Sequence, residues 1–197
     1  MSYRILTISR QFGSGGRTIG RALADELGIK CYDREIIDKV AEKSGFDKKY
    51  ISEKGEYLPR GVFGNVMSRW SYAGPTNEDR IWHIQYNYIR ELADTESCII
   101  VGRCADYILA DRSDVLKVFI HANDAYRADR IVRLYGECDV EPIKRLRDKD
   151  KHRAAYYQIY TDYTYGDAMN YDICLDSSAV GEEKCIMILK DIFTDKL

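Results

Sequence analysis

A glycine-rich loop near the N-terminus, set between an apolar run and a helical pattern, constrains the fold of this chain more than any other feature. Ile5 to Ile8 form a short apolar, β-branched run, which favours a buried strand. Gly13-Ser14-Gly15-Gly16 follows, and glycines at this density are unfavourable inside a strand or a helix. From Thr18 to Leu27 apolar residues recur at helical spacing, and Gly28 is a predicted C-cap. The stretch therefore predicts strand, loop and helix in succession.

This succession predicts a phosphate-binding loop, because glycine-segment amides and a helix N-terminus together attract anions. Arg17 adds a full positive charge, and Thr18 adds a hydroxyl for Mg²⁺. The usual pattern G-x-x-x-x-G-K-[ST] is only partly kept. One alignment places Arg17 at the lysine, and a second, which matches Gly13-Ser14-Gly15, places Gly16 there. The alternative is a glycine turn that only joins the strand to the helix. The predicted phosphate-binding residues are Gly13, Ser14, Gly15, Gly16, Arg17 and Thr18.

Composition limits the class of protein. The chain has 197 residues, of which 45% are hydrophobic, and this is enough for one domain, residues 1–197, with a sizeable core. The net charge of −2 gives no general electrostatic reason to bind a nucleic acid polymer or a membrane surface. No apolar run approaches about 18 residues, so neither a membrane span nor a signal peptide is predicted. Six scattered cysteines without a C-x-x-C pair are interpreted as reduced thiols, typical of a cytoplasmic protein.

Five short apolar runs alternate with helical patterns along the chain, which predicts an α/β fold with a mostly parallel sheet and right-handed crossovers. Two charged residues follow such runs. Asp33 comes after the run at 29–32, and the run at 97–101 ends in Gly102-Arg103. In open α/β sheets ligands bind beyond the carboxyl ends of the strands, so both residues are predicted to bind substrate. The alternatives are that Asp33 only caps the next helix and that Arg103 is a surface ion-pairing residue.

Two longer segments interrupt the alternation. Residues 44–93 contain an irregular, aromatic stretch at 57–75, and a loop this long predicts a functional lid, an interaction surface or a dimer interface across 57–90. The second segment, at 137–168, begins with a helix in which basic residues, among them Arg145 and Arg147, outnumber acidic ones. We interpret it as a mobile lid over phosphates. Its tyrosines either pack the lid against the body of the protein or stack on a base.

With these segments in order, the chain resembles nucleoside monophosphate kinases, and most closely the cytidylate kinase-like branch. The opening ITISRQFGSGGRTIGRALADELG is similar to that branch's modified phosphate loop. IIVGRCADYIL resembles the strand that ends in Gly-Arg, RDKDKHR resembles the lid, and YDICLDSS resembles the last strand and its helix. The resemblance implies a three-layer α/β/α P-loop kinase fold with a five-stranded sheet, a helical lid and an acceptor-binding insertion. It also implies ATP as donor, Mg²⁺ as metal and a small-molecule phosphate acceptor.

The resemblance implies roles for individual residues. Catalytic cations would be Arg17, Arg145, Arg147 and Arg153. Acceptor-binding residues would be Asp33, Arg103, Asp150 and Arg153. Thr18 would contact the metal, and Arg127 and Arg130 would be basic support near the sheet.

The chain also departs from the family's pattern. Val101 stands where the family has an acid, the lid motif is shorter by one residue, and 57–90 differs from the usual acceptor segment. The resemblance implies a nucleoside monophosphate such as CMP or dCMP as acceptor, and these departures leave a related small molecule as an alternative. The alternative hypothesis is a non-catalytic, nucleotide-binding regulator or sensor with an altered loop.

Overall fold

A five-stranded, entirely parallel β-sheet forms the centre of the protein in a computed structural model that describes residues 3–47, 51 and 76–194. The strand order is β2-β3-β1-β4-β5, with β1 in the middle. This confirms the predicted α/β class and its parallel sheet. The strands are β1 (Ile5–Arg10), β2 (Lys30–Tyr32), β3 (Cys98–Val101), β4 (Val115–His121) and β5 (Ile173–Asp176).

Helices connect successive strands. The described helices are α1 (Gly16–Leu27), α2 (Arg34–Ser44), α3 (Asn77–Thr95), α4 (Ala105–Ile108), α5 (Asp124–Tyr135), α6 (Pro142–Thr161), α7 (Ser177–Val180) and α8 (Glu182–Phe193). Gly28 ends α1 in the left-handed conformation, as the sequence predicts, and its N–H donates to backbone oxygens of the last turn. Thr76 and Asp79 begin α3 with a reciprocal capping box. None of the helices in the described part of the chain is long and apolar enough to cross a membrane.

The sheet is buried on both faces, which explains why its strands read as apolar runs. On one face the side chains of Ile5 and Ile100 pack against α2 and α3. On the other face Leu6 and Ile99 pack against α1 and α8. The result is three layers, α/β/α, with the sheet between two apolar cores.

The strand register brings the predicted site residues to one edge. Ile8 of β1 pairs with Val101 of β3, and Ile100 pairs with Tyr32 of β2. The segments that follow these three strands are the glycine loop, Gly102-Arg103 and Asp33, so they emerge side by side. The predicted site residues therefore lie together at the carboxyl edge of the sheet, where ligands bind in open α/β folds.

Two local features of the later helices depend on tertiary contacts. Asp176 accepts from the Ser178 and Ala179 amides and caps the short helix α7, which is separate from α8. Leu134 of α5 is 56% exposed, whereas Arg127 is buried. The reason is that α5 turns Arg127 toward the glycine loop. The aromatic stretch at 57–75 and most of the proposed dimer region lie outside the described residues.

Candidate active site

The glycine loop adopts a fixed shape that depends on its glycines. Gly13 and Gly15 have φ angles of 83° and 85°, in the left-handed region. A Cβ atom at Gly13 would lie 2.9 Å from the Arg127 carbonyl oxygen. The hydroxyl of Ser14 points inward, 2.9 Å from the Ile120 carbonyl oxygen, and Ser177 Oγ donates to the Ser14 carbonyl at 2.6 Å. Hydrogen bonds to neighbouring elements thus hold the loop in place at the start of α1.

The loop opens on a cavity that carries strong positive charge. Four arginines line this cavity, from β1, α1, α5 and α6, and no aspartate or glutamate is among the described residues that line it. The N-terminus of α1 adds its own positive potential. The arrangement suits a polyanion such as a chain of phosphates. The lining arginines are Arg10, Arg17, Arg130 and Arg153. We call this cavity the donor cavity, after the ATP-binding role predicted for its glycine loop.

Arg17 and Asp33 face each other across the carboxyl edge. Arg17 Nε lies 2.6 Å from Asp33 Oδ2, and Arg21 Nη2 lies 3.7 Å from the same oxygen. Asp33 is 3% exposed and its side chain makes no capping hydrogen bond to α2. Asp33 therefore occupies the N-cap position of α2 without capping it through its side chain, and its carboxylate instead balances the charge of Arg17.

Thr18, the predicted metal ligand, is exposed on the first turn of α1. Its Oγ1 accepts a hydrogen bond from Arg130 Nη2 at 2.7 Å. Arg130 also donates through Nε to Glu182 Oε1 at 2.7 Å, which fixes its guanidinium beside the loop. No group of three or more His, Cys, Asp or Glu side chains that could hold a metal occurs within residues 3–47, 51 and 76–194.

A second cavity lies beside the first, at the end of β3, and we call it the acceptor cavity after the acceptor-binding role that the resemblance predicts for Arg103 and Arg153. Arg103 lines it and is 6% exposed, so the interpretation of Arg103 as a surface residue is wrong. Arg10 and Arg153 line both cavities. Three tyrosines complete the wall, and they make one side of the cavity aromatic. The full lining is Ser9, Arg10, Gly102, Arg103, Cys104, Arg153, Tyr156, Tyr157 and Tyr165.

The backbone beneath the acceptor cavity is strained. Gly102, Arg103 and Cys104 have φ angles of 75°, 62° and 54°, three left-handed residues in succession. For a residue other than glycine this conformation costs about 1–2 kcal/mol. A buried hydrogen bond from Gln85 Nε2 to the Arg103 carbonyl oxygen, 3.1 Å long, helps to hold it. Strain of this kind is typical of sites that must aim a side chain, here the guanidinium of Arg103.

Helix α6 is attached to the glycine loop by Asp150 and Arg153. Asp150 Oδ1 accepts from the Phe12 amide at 2.6 Å, and its second oxygen pairs with Arg127. Arg153 Nη1 donates to the Arg10 carbonyl oxygen at 3.1 Å, and its guanidinium lies 5.7 Å from the centre of the Phe12 ring. Asp150 is thus engaged in holding the predicted lid against the loop, and Arg153 is held where both cavities meet.

The structure does not bring Arg145 and Arg147 into either cavity. Arg145 Nη1 donates to the Gly136 carbonyl oxygen at 3.0 Å, and Arg147 is exposed. Helical periodicity explains this, because the side of α6 that faces the loop carries Asp150 and Arg153, which are spaced three residues apart. The catalytic role assigned to these two arginines stays a prediction.

The tyrosines of α6 pack this helix against the body of the protein, in agreement with one of the two predicted roles. Tyr160 stacks on Trp82 of α3, with ring centroids 4.4 Å apart. The Tyr157 hydroxyl donates to Asp106 Oδ2 at 2.7 Å, and Ser9 Oγ donates to the other carboxylate oxygen at 3.3 Å. Burial raises the pKa of Asp106, and the Tyr157 hydrogen bond opposes this shift. The charged form of the buried Asp106 is therefore stabilised by the hydrogen bonds that Tyr157 and Ser9 donate to it.

Sequence reasoning missed Arg10 and Asp106. Arg10 is the last residue of β1 and is 6% exposed. The available signal was the second alignment of the phosphate loop, because placing Gly16 at the pattern's lysine also places Arg10 at its first glycine. Asp106 had no comparable signal, since only the fold brings it to Ser9 and Tyr157.

A glycine loop after the central strand of a parallel sheet, with an arginine-bearing helix docked on it, is the arrangement of a P-loop kinase-like phosphotransferase. A comparison with protein families agrees with this class and makes it specific. The chain belongs to the cytidylate kinase-like family, whose model matches residues 5–179. The predicted family, fold and type of enzyme are confirmed.

Individual relatives are similar over nearly their whole length. The cytidylate kinase of Methanopyrus kandleri is 27% identical over 195 residues, covering 94% of this chain and 91% of the relative. The cytidylate kinase of Methanothrix thermoacetophila is 26% identical over 186 residues, covering 93% of this chain and 94% of the relative.

Solved structures with the same fold include an uncharacterized protein and a shikimate kinase. An uncharacterized protein from Eubacterium ventriosum has a TM-score of 0.73 and 26% identity, covering 96% of this chain and 97% of that one. Shikimate kinase from Acinetobacter baumannii, in complex with shikimate, has a TM-score of 0.55 at 18% identity, covering 99% and 96%. The second likeness concerns the fold alone.

Proposed function

We propose that this protein transfers the γ-phosphoryl group of ATP to a nucleoside monophosphate, with CMP and dCMP as the first candidates. The observation that carries the proposal is the pair of adjoining cationic cavities, which share Arg10 and Arg153 at their boundary. Phosphoryl transfer requires a polyphosphate and an acceptor anion side by side, with positive charge between them. The choice of acceptor rests on the curated relatives, which are cytidylate kinases.

In this proposal the donor phosphates bind in the donor cavity. The amides of residues 13–18 and the N-terminus of α1 contact the phosphate oxygens, and Arg17 and Arg130 add full charges. Magnesium usually binds through one or two protein oxygens together with substrate phosphates. The Thr18 hydroxyl and the Asp33 carboxylate fit that donor set, since both are oxygen ligands at the loop. When bound, Mg²⁺ would neutralise charge on the phosphates.

The acceptor phosphate binds in the acceptor cavity, held by Arg103 and Arg153. An oxygen of that phosphate attacks the γ-phosphorus of ATP and forms the new P–O bond. The bond between the γ-phosphorus and the bridging oxygen breaks, and ADP leaves with the electron pair. The products are ADP and a nucleoside diphosphate, and no protein nucleophile is needed. The packing of α6 over the loop keeps water from competing as acceptor.

A second candidate function is nucleotide binding without transfer, in a regulator or sensor. Two observations favour it: Gly16 and Val101 stand where the family pattern has a lysine and an acid, and the charge of Arg17 is balanced by Asp33. Both functions predict ATP binding. Only the first predicts ADP release that depends on an acceptor.

The deciding experiment is a coupled ADP-release assay with ATP and Mg²⁺ over CMP, dCMP, UMP, AMP, GMP, nucleosides and small metabolites. We expect release that depends on CMP or dCMP. Arg103→Ala should raise the KM of the acceptor at least tenfold, whereas Arg133→Ala, an exposed arginine paired with Asp129, should match the wild type. No ADP release with any acceptor, together with measurable ATP binding, would favour the function as a regulator.

A further inference from the structure

Arg10 and Gly16 exchange the residue types, a glycine and a cation, that the usual phosphate-loop pattern has at their two positions. When Gly15 is matched to the last glycine of G-x-x-x-x-G-K, the first glycine falls at Arg10 and the lysine falls at Gly16. The structure supports this alignment, because Gly15 is the left-handed N-cap and Gly16 the first residue of α1. The chain therefore has a cation where the pattern has a glycine, and a glycine where it has the cation.

The two positions are sterically coupled. A Cβ atom at Gly16 would lie 2.7 Å from Arg10 Cβ and 3.2 Å from Arg10 Cγ. Gly16 begins a helix and has no left-handed φ, so its backbone does not require glycine. Glycine is required here because the Arg10 side chain occupies the space above it. A lysine at 16 and an arginine at 10 exclude each other.

The guanidinium of Arg10 lies beside Gly102, in the wall of the acceptor cavity. A Cβ atom at Gly102 would lie 1.8 Å from Arg10 Nη1 and 2.8 Å from Arg10 Cζ. The side chain thus begins beside the N-terminus of α1 and ends across the carboxyl end of β3. It spans the boundary between the donor and acceptor cavities, both of which it lines.

We propose that Arg10 supplies the cation that the phosphate-loop lysine supplies in the usual pattern, and that it binds the terminal phosphate of a nucleoside triphosphate. This inference rests on the proposed function and assigns a residue to its transferred group. A guanidinium is a planar fork that can contact oxygens of two phosphates at once, whereas an ammonium is a compact point charge. Arg10 is placed to hold the γ-phosphate on one side and face the acceptor on the other. Arg17, which lies against Asp33, does not occupy this place.

The test is a set of exchange variants measured by calorimetric titration with ATP and with ADP, in Mg²⁺ and without acceptor. Arg10→Ala should weaken ATP binding about 10- to 100-fold, the range expected for a charge-assisted hydrogen bond, and change ADP binding by less than about threefold. Gly16→Lys alone should also lose ATP affinity, since its Cβ meets Arg10. Arg10→Gly/Gly16→Lys should recover the preference for ATP over ADP.

Arg10→Ala/Gly16→Lys is the matched control, because alanine keeps the Cβ atom that lies 2.7 Å from position 16. It should not recover the ATP preference. Arg133→Ala should bind both nucleotides like the wild type. Circular dichroism establishes that each variant folds, and Arg10→Lys provides a second test that keeps the charge: it should retain ATP binding while acceptor-dependent ADP release falls on the order of 10²-fold.

The outcomes separate the two proposals. Wild-type ATP affinity in folded Arg10→Ala, or equal rescue by the two double variants, would overturn the role of Arg10. Absence of ATP binding by the wild type would overturn both proposals. ATP binding without transfer to any acceptor would overturn only the transferase function, and the ATP-to-ADP comparison would still decide whether Arg10 binds the terminal phosphate.

Discussion

Asp150→Asn should destabilise the protein by loosening α6 from the glycine loop. Asp150 pairs with Arg127, whose side chain is 6% exposed, and it accepts from the Phe12 amide. Removing one partner of a buried ion pair costs about 3–5 kcal/mol. Asp150 is itself 23% exposed, Arg127 keeps Asp124 as a second partner, and asparagine retains an acceptor for Phe12. We therefore expect a loss of about 2 kcal/mol, below the range for a fully buried pair.

For a chain of this length about 2 kcal/mol corresponds to a fall in Tm of about 4–8 °C. The assay is urea denaturation together with a thermal melt. Asp129→Asn is the matched control: its pair with Arg133 is an i,i+4 contact in which both side chains are about two-thirds exposed. Such a pair is worth about 0.3–0.5 kcal/mol, so the control should melt within about 2 °C of the wild type.

Equal effects of the two substitutions would refute the docking role of Asp150. The resemblance instead assigns Asp150 to acceptor binding, and that hypothesis predicts a higher KM for the acceptor with an unchanged Tm. A double-mutant cycle with Arg127→Met isolates the pair, for which we expect a coupling free energy above about 1 kcal/mol. A coupling free energy near zero would mean that the stability lost in Asp150→Asn does not come from the pair with Arg127.

Three further predictions concern the strained turn, the glycine loop and the buried acid. Arg103→Gly should keep or raise the Tm, because it relieves a left-handed residue, while raising the acceptor KM at least tenfold; Arg103→Ala loses the same guanidinium but keeps the strained backbone, so it should raise the KM equally and melt lower than Arg103→Gly, and the opposite order of Tm values would contradict this account. Gly13→Ala should cost more than about 2 kcal/mol in urea denaturation and more than tenfold in ATP affinity, because its Cβ meets the Arg127 carbonyl oxygen in a left-handed backbone. Tyr157→Phe should lower the free energy of unfolding by about 1–3 kcal/mol, and this loss of stability should be a larger deficit at pH 7 than at pH 4. Burial raises the pKa of Asp106, so the stability from its protonated form is lost as pH rises through the folded-state pKa, and removing the Tyr157 donor deepens that loss. Asp106→Asn should remove this pH dependence, and a deficit equal at both pH values would contradict the assignment.

The sequence by itself determined the parts of this protein that depend on local pattern. The apolar runs and the glycine spacing predicted the strands, the loop and the end of α1 at Gly28, because backbone preference and periodicity are properties of neighbouring residues. Strand ends also predicted that Asp33 and Arg103 would meet the loop at one edge. That inference needed only the parallel sense of the sheet, which alternation of strands and helices implies.

Only the tertiary structure decided where the side chains at that edge point. The register between β1 and β3 carries the Arg10 guanidinium over Gly102, and this explains why position 16 is glycine. Similarly, the packing of α6 on the loop makes Asp150 a tether and leaves Arg147 exposed. These outcomes depend on contacts between residues far apart in the chain, and local pattern carries no information about which side chain fills a shared space.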